Sequence, residues 1–365
     1  MNRSVERRQF GAIGTVPGEI LIGRRCTHPD RGRVRCPAAP LVAAGVRRAG
    51  HQAREVPHLR LIAGSEGGDG VSFTASYLDR DGCAVGLVAA AHRTDEAGLA
   101  AAREVIMTWS AVWRTRRVMI ADVRNACVRE PAGSASDTRR RRLGPLRDRA
   151  CGAPAMTSPS PICPHVAQVH AEARRFADRG DHVVVIGNRE HPEASALLAL
   201  APGRSVVVES EDDVAALHLP ADRVSYLVQP GAVIEQAMPV LAGLRRRYPS
   251  LRGAHPDHLC YAGSDRTETI RLVTATSDRT ILLGDPDGTA MPGPTVEAVH
   301  DPTLLRPAWL AGAECIGIVP AGPSSGRLLT RLVDLLSGLG PLSVVRRRVV
   351  TGIDSATEHN MSNSL

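Results

Sequence analysis

Two short stretches bring together side chains able to do chemistry: Ile162-Cys163-Pro164-His165-Val166-Ala167-Gln168-Val169-His170 and Gly187-Asn188-Arg189-Glu190-His191-Pro192-Glu193. A cysteine thiolate is a nucleophile and a soft metal ligand. An imidazole followed two residues later by a carboxylate can bind an anion and move a proton. Taken singly, Cys163 is equally compatible with a small buried apolar residue, and His-Pro-Glu with an ordinary loop. The two stretches together point to a site.

Their positions follow from the elements around them. Val166, Val169, Ala173 and Phe176 recur at helical spacing, which predicts an amphipathic helix with Cys163 at or just before its first turn. Free backbone N–H groups and the positive end of the helix dipole favour a negative sulfur there. The helix runs out at Arg179-Gly180, and Val183-Val184-Val185-Ile186-Gly187 then reads as a buried strand whose carboxyl end delivers His191 and Glu193. In open α/β sheets ligands bind at that edge.

The chain has 365 residues, room for two or three domains, and its 43% apolar and 23% charged residues are those of a globular protein. Aromatic residues make up only 3%, so aliphatic packing must supply the core. A formal charge of +7 suits an anionic ligand such as a diphosphate, or an acidic electron-carrier protein. No helix-turn-helix, zinc-finger spacing or aromatic stacking platform supports a nucleic-acid partner. The charged amino terminus lacks the apolar region of a secretory signal, and no apolar run reaches membrane-spanning length. A cytoplasmic location with reduced thiols is therefore expected for the eight cysteines, none of which has Cys-x-x-Cys spacing.

In chain order, residues 1–17 read as a disordered tail and 18–115 as an accessory α/β domain to which no chemistry is assigned. Within it Glu19–Gly23, Val71–Leu78 and Cys83–Ala89 are predicted strands, the last two joined by a hairpin turn, with helices over 38–46 and 95–113. Cys26, His28 and Cys36 could form half of a metal site, but read better as structural. A new strand begins at Arg117, and residues 131–161, with Arg139-Arg140-Arg141-Arg142, have linker composition. Strands at 183–187, 205–209, 224–228, 279–284 and 315–319 alternate with helical stretches, which implies parallel βαβ units. Residues 351–365 read as a second disordered tail.

These motifs resemble the 4-hydroxy-3-methylbut-2-enyl diphosphate reductases, the LytB family of the non-mevalonate isoprenoid pathway, over roughly the carboxyl-terminal two thirds of the chain. Val118-Met119-Ile120-Ala121-Asp122-Val123-Arg124-Asn125-Ala126-Cys127 is similar to the family's first strand and cysteine loop. Cys163-Pro164 with Val169-His170 matches its second cysteine motif, and Leu259-Cys260-Tyr261-Ala262 with Arg266 its third. Gly187 with His191-Pro192-Glu193 and Ala321-Gly322-Pro323-Ser324 resemble two further family segments.

The resemblance implies a reductase domain over 116–350 with a trefoil-like arrangement of α/β lobes, the first lobe incomplete. It implies a [4Fe-4S] cluster held by Cys127, Cys163 and Cys260, with one iron left open for a substrate oxygen. Glu193 would be the general acid, and His191, Ser324 and Thr289 would bind the diphosphate of an allylic substrate. Reduced ferredoxin or flavodoxin would be the electron donor, and isopentenyl and dimethylallyl diphosphate the products. Asn188 stands where the family has histidine, Gln229-Pro230-Gly231 replaces Gln-Thr-Thr, and Gly288-Thr289-Ala290 replaces Ser-Ser-Asn. These departures leave an alternative open, a catalytically inactive LytB-like paralogue with a binding or regulatory role.

Overall fold

The computed structural model describes residues 5–79, 81–123, 164–255, 258–284, 296–321 and 325–351. They form two compact units, residues 5–122 with 272–347, and residues 164–271 with 348–351. Among the described residues no helix is long and apolar enough to cross a membrane.

The first unit opens with β1 (Glu6–Ala12), β2 (Glu19–Gly23), β3 (Arg25–His28), β4 (Gly32–Arg35), α1 (Ala39–Arg48), β5 (Gln52–Val56), β6 (Leu61–Ile62), β7 (Gly70–Leu78), β8 (Ala84–His92), α2 (Glu96–Ala111) and β9 (Arg116–Ala121). All but β9 of these strands build an eight-stranded sheet in the order β3-β4-β8-β7-β1-β6, with β2 pairing β5 and β8. The β7–β8 hairpin forms as its sequence predicts: Asp79 Oδ1 accepts from the backbone N–H groups of Asp81 (3.0 Å) and Cys83 (2.8 Å). Asp95 starts α2 by accepting from the Gly98 N–H at 2.9 Å, and it also holds the Gly18 N–H at 3.0 Å.

Two sequence expectations fail here. Residues 1–17 are not a tail throughout, because Glu6–Ala12 forms β1 inside the sheet, antiparallel to both β7 and β6. Its polar first half concealed it: Arg7 Nε instead bonds Ser110 Oγ at 3.1 Å, and the buried hydroxyls of Ser72 and Thr74 donate to the Phe10 and Arg8 carbonyls, both at 3.1 Å. Nor do residues 18–115 close as a separate domain. One continuous hydrophobic cluster joins Leu41, Val46 and Trp109 to Ile281, Ile318 and Leu336. Gly338 shows why, since a Cβ on it would lie 2.5 Å from the Ala38 nitrogen. Cys26, His28 and Cys36 are core residues, with His28 packed edge-on against Phe10 at 4.7 Å between ring centroids. Hydrogen bonding to Cys26 and burial together push the Cys36 thiol up.

The second unit runs α3 (Pro164–Asp178), β10 (His182–Ile186), α4 (Pro192–Leu200), β11 (Ser205–Val208), α5 (Glu211–Ala216), β12 (Val224–Val228), α6 (Ile234–Arg247), β13 (Arg252–Gly253) and α7 (Ala262–Ala275). Its four strands are parallel in the order β11-β10-β12-β13. Parallel strands need crossovers, and the helices cover both faces accordingly. α3 and α4 pack Val169, Ala173, Phe176 and Leu197 on one face, while α5 and α6 pack Val214, Leu241 and Leu244 on the other.

The chain then returns to the first unit through β14 (Arg279–Leu283), β15 (Val296–Val299), α8 (Pro307–Leu310), β16 (Cys315–Pro320), α9 (Ser325–Ser337) and β17 (Leu342–Arg347). These strands and β9 form a parallel five-stranded sheet, β15-β14-β16-β9-β17. Arg116, 1% exposed at the start of β9, donates to the carbonyls of Val112, Leu310, Ala313 and Leu339. Burial pulls its guanidinium down to about 10, so it remains charged at neutral pH.

Candidate active site

β10 lies between β11 and β12, and Val183 to Ile186 are buried. Such a strand can carry polar groups only at its ends. At the carboxyl end, Gly187 lets Gln229 fold inward: a Cβ at position 187 would sit 2.2 Å from Gln229 Oε1. Gln229, only 3% exposed, accepts the Asn188 N–H at 2.9 Å through that oxygen. Asn188 Oδ1 in turn accepts the Glu190 N–H at 2.8 Å, and the chain bends toward α4.

His191 is the N-cap of α4, its Nδ1 accepting the Glu193 N–H at 3.1 Å. That bond requires a lone pair on Nδ1, so the neutral ring carries its proton on Nε2, and the residue is exposed. Glu193 lies in the first turn of α4, where the helix dipole favours a carboxylate. Its Oε1 is 2.5 Å from His170 Nε2 of α3, and the two side chains are 16% and 23% exposed. A short contact between two half-buried titratable groups fixes the carboxylate in direction and gives it a partner for proton exchange.

Cys260 approaches the same edge of this sheet. It is 5% exposed and sits two residues ahead of α7. The start of α7 is locked to the loop after β12: Ile234 N–H donates to Ser264 Oγ at 2.9 Å, which donates to Glu235 Oε2 at 2.7 Å. Gly263 presses on the same loop, since a Cβ there would lie 2.2 Å from the Gly231 carbonyl oxygen. Two residues before Cys260, His258 Nδ1 bonds Glu172 Oε1 of α3 at 2.9 Å. Glu172 is 7% exposed and its second oxygen has no hydrogen-bond partner among the described residues.

Of the residues predicted from sequence, the structure thus places Glu193, His191 and Cys260 in the second unit, the first two at the carboxyl end of β10. Cys127, Cys163, Thr289 and Ser324 lie outside the described residues; α3 begins at Pro164, directly after Cys163. Sequence reasoning missed His170 as the partner of Glu193, and missed Gln229, Glu172 and His258 as supports. The available signal was spacing, since His170 follows Cys163 by about two helical turns. Among the described residues no group of three or more His, Cys, Asp and Glu side chains is placed to hold a metal ion.

A protein-family model described as LytB protein matches residues 160–336. That segment, just under half of the 365-residue chain, is similar to the LytB family. The LytB match includes Cys163, His170, His191, Glu193 and Cys260, whereas the first cysteine motif, 118–127, stands before it. A 4-hydroxy-3-methylbut-2-enyl diphosphate reductase of Mycobacterium bovis is 32% identical over 199 residues, covering 52% of this chain and 60% of that protein. The enzyme of the same name from Chromobacterium violaceum is 27% identical over 205 residues, covering 53% and 65%. The chain therefore spans less than two thirds of the length of these LytB relatives. A solved reductase structure from Plasmodium falciparum aligns with a TM-score of 0.42 at 19% identity, over 51% of this chain and 62% of that one.

Proposed function

We propose that this protein is a cytoplasmic iron–sulfur reductase that removes the hydroxyl of 4-hydroxy-3-methylbut-2-enyl diphosphate, or of a related allylic diphosphate, to give isopentenyl and dimethylallyl diphosphate. The observation that carries the reading is the Glu193–His170 contact of 2.5 Å at the carboxyl end of β10, within the LytB segment.

Cys260 fits a cluster ligand: its thiol is sheltered from solvent and lies two residues ahead of α7, where the free N–H groups and positive end of a helix can face a negative cluster. Cys127, Cys163 and Cys260 would hold a [4Fe-4S] group, three thiolates for four irons. When bound, that group supplies the two electrons that, with two protons, exchange the allylic carbon–oxygen bond for carbon–hydrogen and release water.

The chain's own residues do the rest. Glu193 holds the proton to be delivered, and His170 keeps Glu Oε1 aimed and can return a proton to it between turnovers. His191 presents Nε2–H to the diphosphate, with Ser324 and Thr289 as further contacts. Gln229 keeps the 187–193 turn in place from behind. The electron donor is ferredoxin or flavodoxin, for which the chain's surplus positive charge is complementary to an acidic surface.

The test is anaerobic purification with measurement of iron and sulfide, then turnover of 4-hydroxy-3-methylbut-2-enyl diphosphate with a chemical reductant. The reading requires about four irons per chain and formation of the two five-carbon diphosphates. A bound cluster without turnover would favour the inactive paralogue, and absence of a cluster would remove the redox reading altogether.

A further inference from the structure

β3 and β4 place Arg25 directly opposite Arg35, and both residues are exposed. Like charges facing each other across antiparallel strands repel. Among the described residues neither guanidinium has a hydrogen bond or ion pair, whereas their neighbours do: Arg24 is held by Glu55 at 2.9 Å and Arg331 of α9 by Asp301 at 3.6 Å. All four arginines line one cavity of about 430 Å³ in the first unit.

Among the described residues the cavity's only lining carboxylate is Asp334. Arg24 and Arg331 are already paired with Glu55 and Asp301, which do not line the cavity, so Arg25 and Arg35 against Asp334 carry the positive charge left on the wall. α1 adds to this field, because Pro40 at its start lines the cavity, its N-cap makes no side-chain hydrogen bond, and its first turn holds no acidic residue. Pro37, Pro40 and Leu335 supply an apolar side to the same space.

We propose that this cavity is a binding site for the diphosphate group of a small organic molecule. A terminal diphosphate carries roughly two to three negative charges near neutral pH, enough to engage Arg25 and Arg35 together, and guanidinium forks grip phosphate oxygens in pairs. Arg25 and Arg35 would each take one phosphate, converting a repulsive cross-strand pair into a bridged one. The apolar side would take the organic part, a nucleoside or a short hydrocarbon. The proposal does not rest on the reductase reading, since every lining residue belongs to the unit of 5–122 and 272–347.

Isothermal titration of the full chain with inorganic diphosphate, ADP and isopentenyl diphosphate tests it. Wild type should bind at least one of these, and R25A/R35A and R331A should each weaken that binding at least about tenfold. Preference for ADP or for isopentenyl diphosphate assigns the organic part. R25A/R35A removes two exposed like charges and should melt no lower than wild type, so it decides the matter even if R331A fails to fold. No binding by wild type, or binding unaffected by R25A/R35A, overturns the proposal. So does an Arg25- and Arg35-dependent affinity for duplex DNA without affinity for the small diphosphates.

Discussion

Glu193 owes its place to three constraints set by different residues: the cap made by His191, the helix dipole of α4 and the contact with His170. In the proposed mechanism His170 acts on substrate only through Glu193 and is a positioning residue. His170→Ala should lower kcat by about 10²-fold with little change in KM and an unaltered cluster spectrum. His170→Gln, which retains a donor for Glu193, should recover part of the loss and flatten the pH profile. Gly187→Ala should cost about 1–3 kcal/mol, read by chemical denaturation, because its methyl collides with Gln229. Replacing Arg116 by Met would remove the side-chain donor from four buried carbonyls and leave those of Val112 and Ala313 without another hydrogen bond among the described residues, for a loss of about 3 kcal/mol. At this scale the sequence exposed the chemistry-bearing types, Glu193, His191 and Cys260, through their motifs. It hid His170 and Gln229, whose partners lie about 23 and 41 positions away, because side-chain partnership depends on tertiary packing.

The elements were legible where hydrophobic period and caps agreed. α3 buries Val169, Ala173 and Phe176 as their spacing predicts, and β10, β12, β14 and β16 are apolar runs that can only be central strands. β1 and β17 were illegible because their charged residues face outward, as Arg346 and Arg347 do on the five-stranded sheet's edge. Caps also make the fold acid-sensitive. Asp213 in the capping box of α5 accepts from the Glu209 and Ser210 N–H groups, and Asp95 from Gly98 and Gly18. Asp278 accepts from Cys315 and Glu314. Each of these bonds holds its carboxyl below the ordinary aspartate value. A depressed folded-state value gives stability that is complete above the unfolded value, about 4, and is lost as pH falls through the folded one. Thermal melts should therefore be flat above about pH 5 and fall below it, with D213N less sensitive than wild type. Ser210→Ala should cost about 1 kcal/mol.

At the scale of the whole molecule, the amino-terminal sheet and the carboxyl-terminal sheet share one core. Tyr77 Oη donating to the Ser337 carbonyl at 3.0 Å is part of that seam, and burial pushes its hydroxyl up to about 12. Deleting residues 1–115 would uncover α9, against which α1 packs, so the remainder should be insoluble or rapidly proteolysed rather than behave as a free-standing LytB domain. Alternation of strands and helices predicted an α/β protein correctly but could not predict this seam, because contacts across more than 200 positions leave no local period. The claim on which the functional account turns is that Glu193 delivers the proton to an allylic diphosphate in the LytB segment. Turnover of 4-hydroxy-3-methylbut-2-enyl diphosphate by cluster-loaded wild type and E193Q measures it most directly. The account predicts formation of both five-carbon diphosphates by wild type, and a rate at least about 10²-fold lower for E193Q with the same cluster spectrum; equal rates for the two proteins would contradict it.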